Sequence, residues 1–271
     1  MLIFKSINKL NKKVNFKANI GFVPTMGALH QGHLSLIHKS QIRCKKTLVS
    51  IFVNPSQFNI KKDFKKYPRT LNKDIKTLKK LKVDYLLLPK TKEIYKNKKS
   101  MKIKLSKKDK ILCGKYRPGH FEGVLGVINQ LLKNIKINLS YMFLGEKDYQ
   151  QIFFIKKFIK KKFKTRIVTG KIIRYKNFLP YSSRNFLLKK GDLKKASRIS
   201  KKIMHFHYLI KRNFNNLNKL NEVQKKILDE NVKVEYLEVR NKNNLSKKIN
   251  KTNFKIFIAY YIGRIRLIDN Y

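Results

Sequence analysis

Two histidines three residues apart, His30 and His33, end the run Phe22-Val23-Pro24-Thr25-Met26-Gly27-Ala28-Leu29-His30-Gln31-Gly32-His33, where an apolar stretch gives way to a helical one. Gly27 lets the backbone turn tightly and approach a ligand, and Gly32 leaves room inside the first helical turn. Free N–H groups at a helix start, with the helix dipole, attract phosphate. The imidazoles would then face the phosphates of a nucleoside triphosphate. Paired histidines also bind zinc, but no HExxH and no downstream Cys/His cluster supplies further ligands, so no protein-held metal is expected.

Gly145-Glu146-Lys147-Asp148-Tyr149-Gln150-Gln151 likewise follows an apolar run and opens a helix. Lys147 can reach a phosphate and Asp148 can accept from ribose hydroxyls; the plainer reading is an N-cap beside a solvated lysine. Ser182-Ser183-Arg184-Asn185 supplies two hydroxyls and a forked cation suited to a triphosphate, in a common type of loop sequence. Asn54-Pro55-Ser56-Gln57-Phe58 offers neutral amides to the hydroxyls of a small polar substrate, or is an ordinary strand-to-loop turn. Arg117-Pro118-Gly119-His120-Phe121 brings a further imidazole or only a helix-entry turn, and Tyr67-Pro68-Arg69-Thr70 reads as a helix start with Thr70 near its cap. His38, His205 and His207 read as ordinary polar or helix-end residues.

A scaffold must bring these segments together. Residues 19–24 and 47–53 read as buried strands joined by a helix that starts near Gly32 and turns Leu34 and Ile37 inward. Leu71, Ile75, Leu78 and Leu81 follow helical spacing into a third buried strand at 83–88, closed by Pro89. After a loop at 113–119, Val124, Val127, Ile128, Leu131, Leu132 and Ile135 trace one helical face ahead of a strand at 141–144. A helix with Ile152, Ile155 and Ile159 precedes a strand at 166–168. This alternation predicts an α/β fold over residues 1–174, a doubly wound and mostly parallel sheet with ligands outside the carboxyl ends of its strands. Beyond Arg174 come helices near 192–212 and 221–230, then strands near 233–239, 255–261 and 264–268 with Ile262-Gly263 as a turn, which predicts a smaller C-terminal α+β domain at 175–271. The Asn/Lys-rich stretches 213–219 and 241–253 read as loops.

The charge is extreme: 66 Lys+Arg against 15 Asp+Glu, or +51 over 271 residues. Such a balance ordinarily points to nucleic acid or an anionic membrane. Here the lysines are spread through the chain, Asn and Ile are abundant as well, and residues 21–30, 51–60 and 121–130 contain no Lys or Arg. Drift toward codons rich in A and T explains this pattern, so neither nucleic acid nor membrane is expected as a partner. Cys44 and Cys113 form no CxxC pair, which fits a reducing cytoplasm. Met1-Leu2-Ile3-Phe4-Lys5 lacks a signal-peptide h-region, and no apolar run approaches the roughly 18 residues of a membrane span, so a soluble cytoplasmic protein is expected.

Taken together and in this order, the segments resemble the pantothenate synthetase (pantoate–beta-alanine ligase) family of the HxGH nucleotidyltransferase superfamily, from the N-terminus through Arg184, with a weaker echo in Arg266-Leu267-Ile268-Asp269-Asn270. The resemblance implies a homodimer with a Rossmann-like domain that binds ATP and pantoate and a small C-terminal lid. It also implies a reaction: with Mg2+, pantoate and ATP give enzyme-bound pantoyl adenylate and pyrophosphate, and beta-alanine then displaces AMP. Carried over residue by residue, Met26, Gly27, Ala28, Leu29, His30, Gln31, Gly32 and His33 match the ATP signature, with His33 the proton donor. Gly145, Glu146, Lys147 and Asp148 match the second ATP segment, Ile173 a backbone contact to adenine, and Tyr181, Ser182, Ser183 and Arg184 the third. Gln57 and Gln151 match the glutamines that hold pantoate, the first also near beta-alanine, and Asn54 and His120 fall in the same substrate-binding segments. Catalysis is thereby assigned to His30, His33, Lys147, Ser182, Ser183 and Arg184. Where the family usually has Asp-Gly-Leu-Ala, this chain has Asn177-Phe178-Leu179-Pro180, and the lost glycine and added proline are expected to stiffen or reshape that loop and lower turnover.

Two other functions compete. Another HxGH-type nucleotidyltransferase would act on a phosphate ester, but neutral Gln57 and Gln151 suit a doubly charged acceptor poorly. A basic RNA-binding protein would need clustered Lys/Arg with interleaved aromatics, whereas the Tyr and Phe residues sit at core periodicities. The charge excess carries a cost in self-repulsion. Raising NaCl from about 20 mM to about 300 mM should therefore raise the melting temperature, and a salt-independent melting curve would contradict it.

Overall fold

The computed structural model describes residues 1–14, 19–95 and 103–271. The chain divides into two compact units, Met1–Ile172 and Ile173–Tyr271.

Along the first unit run β1 (Leu2–Phe4), α1 (Ile7–Lys13), β2 (Ile20–Thr25), α2 (Gln31–Arg43), β3 (Lys46–Ile51), α3 (Lys61–Lys66) and α4 (Leu71–Lys80). They are followed by β4 (Tyr85–Leu87), α5 (Thr91–Ile94), α6 (Cys113–Tyr116), α7 (His120–Asn134), β5 (Leu139–Gly145), α8 (Tyr149–Phe158) and β6 (Arg166–Gly170). The strands form one parallel sheet in the order β1-β4-β3-β2-β5-β6. From β2 the chain moves outward through β3 and β4, then returns to place β5 and β6 on the other side of β2. The expected doubly wound sheet therefore forms, and β2 and β5 flank its switch point, where such sheets open a crevice at the carboxyl edge. β2 can be central because Ile20, Phe22 and Val23 are fully buried, the continuous apolar run that a sheet covered on both faces requires. One core cluster joins Leu36, Ile37 and Leu78 from the helices to Val23, Val49, Leu86 and Phe143 from the strands.

The second unit holds α9 (Lys190–Arg212), α10 (Leu220–Leu228) and an antiparallel sheet of β7 (Lys233–Asn241), β8 (Phe254–Ile262) and β9 (Ile265–Asn270), in that order. Ile199, Ile203 and Ile210 of α9 and Ile227 of α10 pack with Ile256 and Ile258 of β8. Charges inside this unit are paired: Arg266 with Glu235, and Arg174 with both oxygens of Asp269 at 2.7 and 2.9 Å. Removing one member of such a buried pair costs about 3–5 kcal/mol. Arg174, at the expected boundary between the domains, makes this pair within the second unit.

Other departures from expectation are local. β1 and α1 lie outside the expected elements: a three-residue edge strand with Leu2 and Ile3 exposed has no periodicity to read, and Ile7 and Leu10 of α1 carry helical spacing over only seven residues. A one-turn helix, α6, stands inside the expected loop at 113–119. Residues expected as loop, Phe214–Lys219, form a 3-10 turn in which the Asn213 side chain accepts from the Asn215 N–H.

α7 crosses the short turn Pro55–Gln57 so closely that a Cβ on Gly123 would lie 2.1 Å from the Ser56 carbonyl oxygen. Gly123→Ala should destabilise the protein by about 1–3 kcal/mol in urea unfolding, because backbone must yield. Unchanged stability would contradict this contact.

Candidate active site

The segments that follow β2, β3 and β5 leave the sheet at one edge. After β2 the chain turns through Gly27 and Ala28, with φ of 77° and 49°, both left-handed. Glycine adopts this conformation freely, whereas alanine there is strained by about 1–2 kcal/mol. Asp74 of α4, only 2% exposed, holds the turn. Its two oxygens accept from the Ala28 and Leu29 N–H groups, each at 2.9 Å, and from the Thr70 hydroxyl at 3.1 Å. The Gly27 N–H donates to Thr25 Oγ1. These amides of the turn are thus committed within the protein, because a buried donor needs a partner whether or not a ligand is bound.

His30 takes the N-cap position of α2, its Nδ1 accepting from the Gly32 N–H at 3.2 Å. This lays its ring against that of His33, with centroids 4.0 Å apart and planes 26° from parallel. Nδ1 of His33 is buried with no hydrogen-bond partner among the described residues. Burial first, then His33 and Lys147, push His30 from its ordinary 6.5 to about 2. Burial likewise pushes His33 to about 4, with Asp148 opposing and Lys147 helping. Both imidazoles are therefore neutral near pH 7, each with one N–H donor and one acceptor nitrogen. Lys147 and Asp148 come from the 3-10 turn Glu146–Asp148 after β5, with Lys147 Nζ 3.9 Å from Asp148 Oδ1. Asp148 occupies the N-cap position of α8 without a side-chain capping bond, and half of its side chain is exposed. Glu146 accepts from the Thr169 hydroxyl at 2.8 Å.

After β3, the fully buried Asn54 caps the turn that carries Gln57. Its Oδ1 accepts from the Ser56 N–H and the Tyr95 hydroxyl, and its Nδ2 donates to the Gly123 carbonyl and to Gln57 Oε1. His120 Nδ1 donates to the Gln57 carbonyl at 2.7 Å, and its Nε2 accepts from Arg117 Nη1 at 3.0 Å. Gln57 Nε2 in turn meets Met26 Sδ, which links this network to the turn after β2. Asn54 and His120 therefore fix the position of Gln57.

A family profile described as Pantoate-beta-alanine ligase matches residues 2–271. The chain belongs to the pantoate-beta-alanine ligase family. A pantothenate synthetase from Francisella tularensis subsp. mediasiatica (strain FSC147) is 41% identical over 269 residues, covering 98% of this chain and 94% of its own. A crystal structure of the pantoate-beta-alanine ligase from Francisella tularensis, complexed with beta-gamma ATP and beta-alanine, is 39% identical with a TM-score of 0.84, covering 100% of this chain and 97% of that one. Pantothenate synthetase from Thermus thermophilus superposes with a TM-score of 0.90 at 27% identity, covering 100% of this chain and 99% of its own.

In this member of the family, then, the first unit gathers His30, His33, Lys147 and Asp148 in one cluster and Met26, Asn54, Gln57 and His120 in another. Gln151 is half-buried on α8, while its neighbour Gln150 is buried and spans the Cys113 N–H and the Ile111 carbonyl. Ile173, Tyr181, Ser182, Ser183 and Arg184 lie in the second unit. There the Ile173 carbonyl accepts from the Tyr181 N–H at 3.0 Å, and Ser182 caps the 3-10 turn Ser183–Leu187 by accepting from the Arg184 N–H. Sequence reasoning missed Asp74, Tyr95 and the positioning role of Gln150. A signal existed for Asp74: it shares a helix face with Leu71, Ile75 and Leu78 in a chain where acids are scarce.

The histidine environment makes a pH prediction. An unfolded chain protonates histidine near 6.5, whereas folded His33 resists protonation down to about 4, so the stability it contributes is present above 6.5 and lost as pH falls through that window. In NMR titrations of the free protein, His33 should show a midpoint well below 6.5 that rises when ATP is added. A midpoint near 6.5 without nucleotide would contradict the geometry.

Proposed function

We propose that this chain joins (R)-pantoate to beta-alanine in two steps. Pantoate and ATP first give enzyme-bound pantoyl adenylate and pyrophosphate, and the amine of beta-alanine then displaces AMP to give pantothenate. The observation that carries this reading is the stacked pair of neutral imidazoles beside Lys147, at the ends of β2 and β5, with the neutral amide of Gln57 next to Met26. Family membership and the relative complexed with beta-gamma ATP and beta-alanine support it.

In the first step a pantoate carboxylate oxygen attacks the α-phosphorus, the bond from that phosphorus to the bridging oxygen breaks, and negative charge grows on pyrophosphate. Fixed donors aimed at that charge lower the barrier without reorganising. Lys147 supplies a cation, and His30 and His33 supply N–H donors that carry no charge of their own. Ser182, Ser183 and Arg184 add hydroxyls and a planar cation suited to phosphate oxygens. Ile173 and Tyr181 contact the nucleotide, and Asp148 accepts from ribose. Gln57 and Gln151 hold pantoate, with Asn54 and His120 keeping Gln57 in place. The adenylate is a mixed anhydride, so the second step needs a deprotonated amine held in line and water kept out. A neutral imidazole is competent to take the amine proton.

Mg2+ is assigned as the ion carried by ATP, neutralising phosphate charge. Among the described residues no three His, Cys, Asp or Glu side chains gather as a metal site, and Mg2+ bound through substrate phosphates needs few protein ligands. Residues 1–174 are assigned to ATP and pantoate binding and 175–271 to a lid, in a cytoplasmic homodimer. No described helix is long and apolar enough to cross a membrane.

The test is AMP and pyrophosphate release by purified protein with ATP and Mg2+, first with pantoate and then with beta-alanine added. Multiple-turnover AMP release should require both substrates, and His33→Ala should lower kcat/KM by at least about 100-fold, as for loss of one preorganised donor. Turnover that ignores pantoate in a folded sample would overturn the reading.

A further inference from the structure

Resting on the reading that Ile173 and residues 181–184 contact ATP, we infer that Asp269, acting through Arg174, is a positioning residue that holds the nucleotide-binding loop by pinning a strained turn at Phe178. The reaction itself gives no work to the C-terminal run Arg266-Leu267-Ile268-Asp269-Asn270. The second unit shows what that run touches. Arg174, the residue after Ile173, donates to both oxygens of Asp269 at 2.7 and 2.9 Å and to the Asn270 carbonyl at 3.2 Å. The same guanidinium donates to the Phe178 carbonyl at 2.9 Å and lies over the Tyr271 ring, 4.4 Å from its centroid. One planar fork thus binds the end of β9 to the tip of the loop, a task for which a lysine has the charge but not the geometry.

That tip needs holding. Phe178 has φ of 71°, a left-handed conformation that a side chain with a Cβ leaves unless its surroundings over-determine it. The flanks of the loop are tied across. Tyr175 N–H donates to the Leu179 carbonyl, Tyr181 N–H to the Ile173 carbonyl, and the Tyr175 and Tyr181 rings stack at 3.7 Å. Asn185, one residue beyond Arg184, donates to the Pro180 carbonyl at 3.0 Å. Relaxation at Phe178 would therefore pass along these ties to both ends of the loop, Ile173 and residues 181–184. Asp269 is 5% exposed and opposes that relaxation by keeping Arg174 in place.

Kinetics on the full chain, with pantoate and beta-alanine saturating, test this. Asp269→Asn should raise KM for ATP about tenfold, while kcat at saturating ATP falls less than about threefold and KM for pantoate is unchanged. Phe178→Gly removes the left-handed strain, so in that background the effect of Asp269→Asn should shrink to about threefold or less. Arg174→Lys should reproduce the Asp269→Asn pattern and carries the test if Asp269→Asn does not fold by circular dichroism. A folded variant with KM for ATP within about twofold of the parent would overturn the inference, as would an equal effect with Phe or Gly at 178. Arg184→Ala separates the two levels. If it raises KM for ATP and Asp269→Asn does not, the inference alone fails; if Arg184→Ala changes nothing, the ATP reading fails and the inference with it.

Discussion

The turn after β2 contains two successive left-handed residues, one of them Ala28, and such a backbone keeps its shape only where an outside group over-determines it. Asp74 does so with one buried carboxylate that accepts from the Ala28 and Leu29 amides. The direction in which α2 departs, the placing of His30 at its cap and the face-to-face approach of His33 all follow from that turn. The contact spans 46 positions in sequence, so α4 must be packed before the histidine cluster has a defined shape.

The state of those histidines follows from what surrounds them. Buried together and facing Lys147, with Asp148 offsetting only part of this at His33, they lose their protons. Under the proposed function, neutral imidazoles suit a site that meets a polyanion by hydrogen bonds and later accepts a proton from an amine. Several of the few acids in this basic chain are committed elsewhere. Asp74 holds backbone, Asp269 and Glu235 pair with arginines, and Glu230 pairs with Arg198 and Lys202.

Elements with a long apolar period were legible in the sequence. The strands around β2, β3 and β5, the long helices and the antiparallel C-terminal sheet lie within a few residues of where periodicity placed them, because burial writes the same pattern many times over. The histidine turn was legible as a strand-to-helix turn through its residue types. β1 and the one-turn α6 were not, since a handful of residues carries no period. The roles of Asn54 and His120 in holding Gln57 were also hidden, because they depend on partners such as Tyr95 and Gly123 that only the fold brings near. Phe178 illustrates the limit: the loop departs from the family pattern in residue type, yet its backbone adopts the left-handed turn that a glycine would make without strain.

The ion pair between Arg174 and Asp269 joins residues 95 positions apart. At translation rates of about 5–20 residues per second, the loop bearing Arg174 waits on the order of 5–20 s on the ribosome before its anchor is made. Met1–Ile172, which needs nothing from that segment for its sheet, can consolidate during this interval. Maturation of the loop bearing Arg174 is therefore a late event in biogenesis, governed by β9 docking, and a nascent chain halted short of β9 would carry a finished histidine cluster and an unfinished loop.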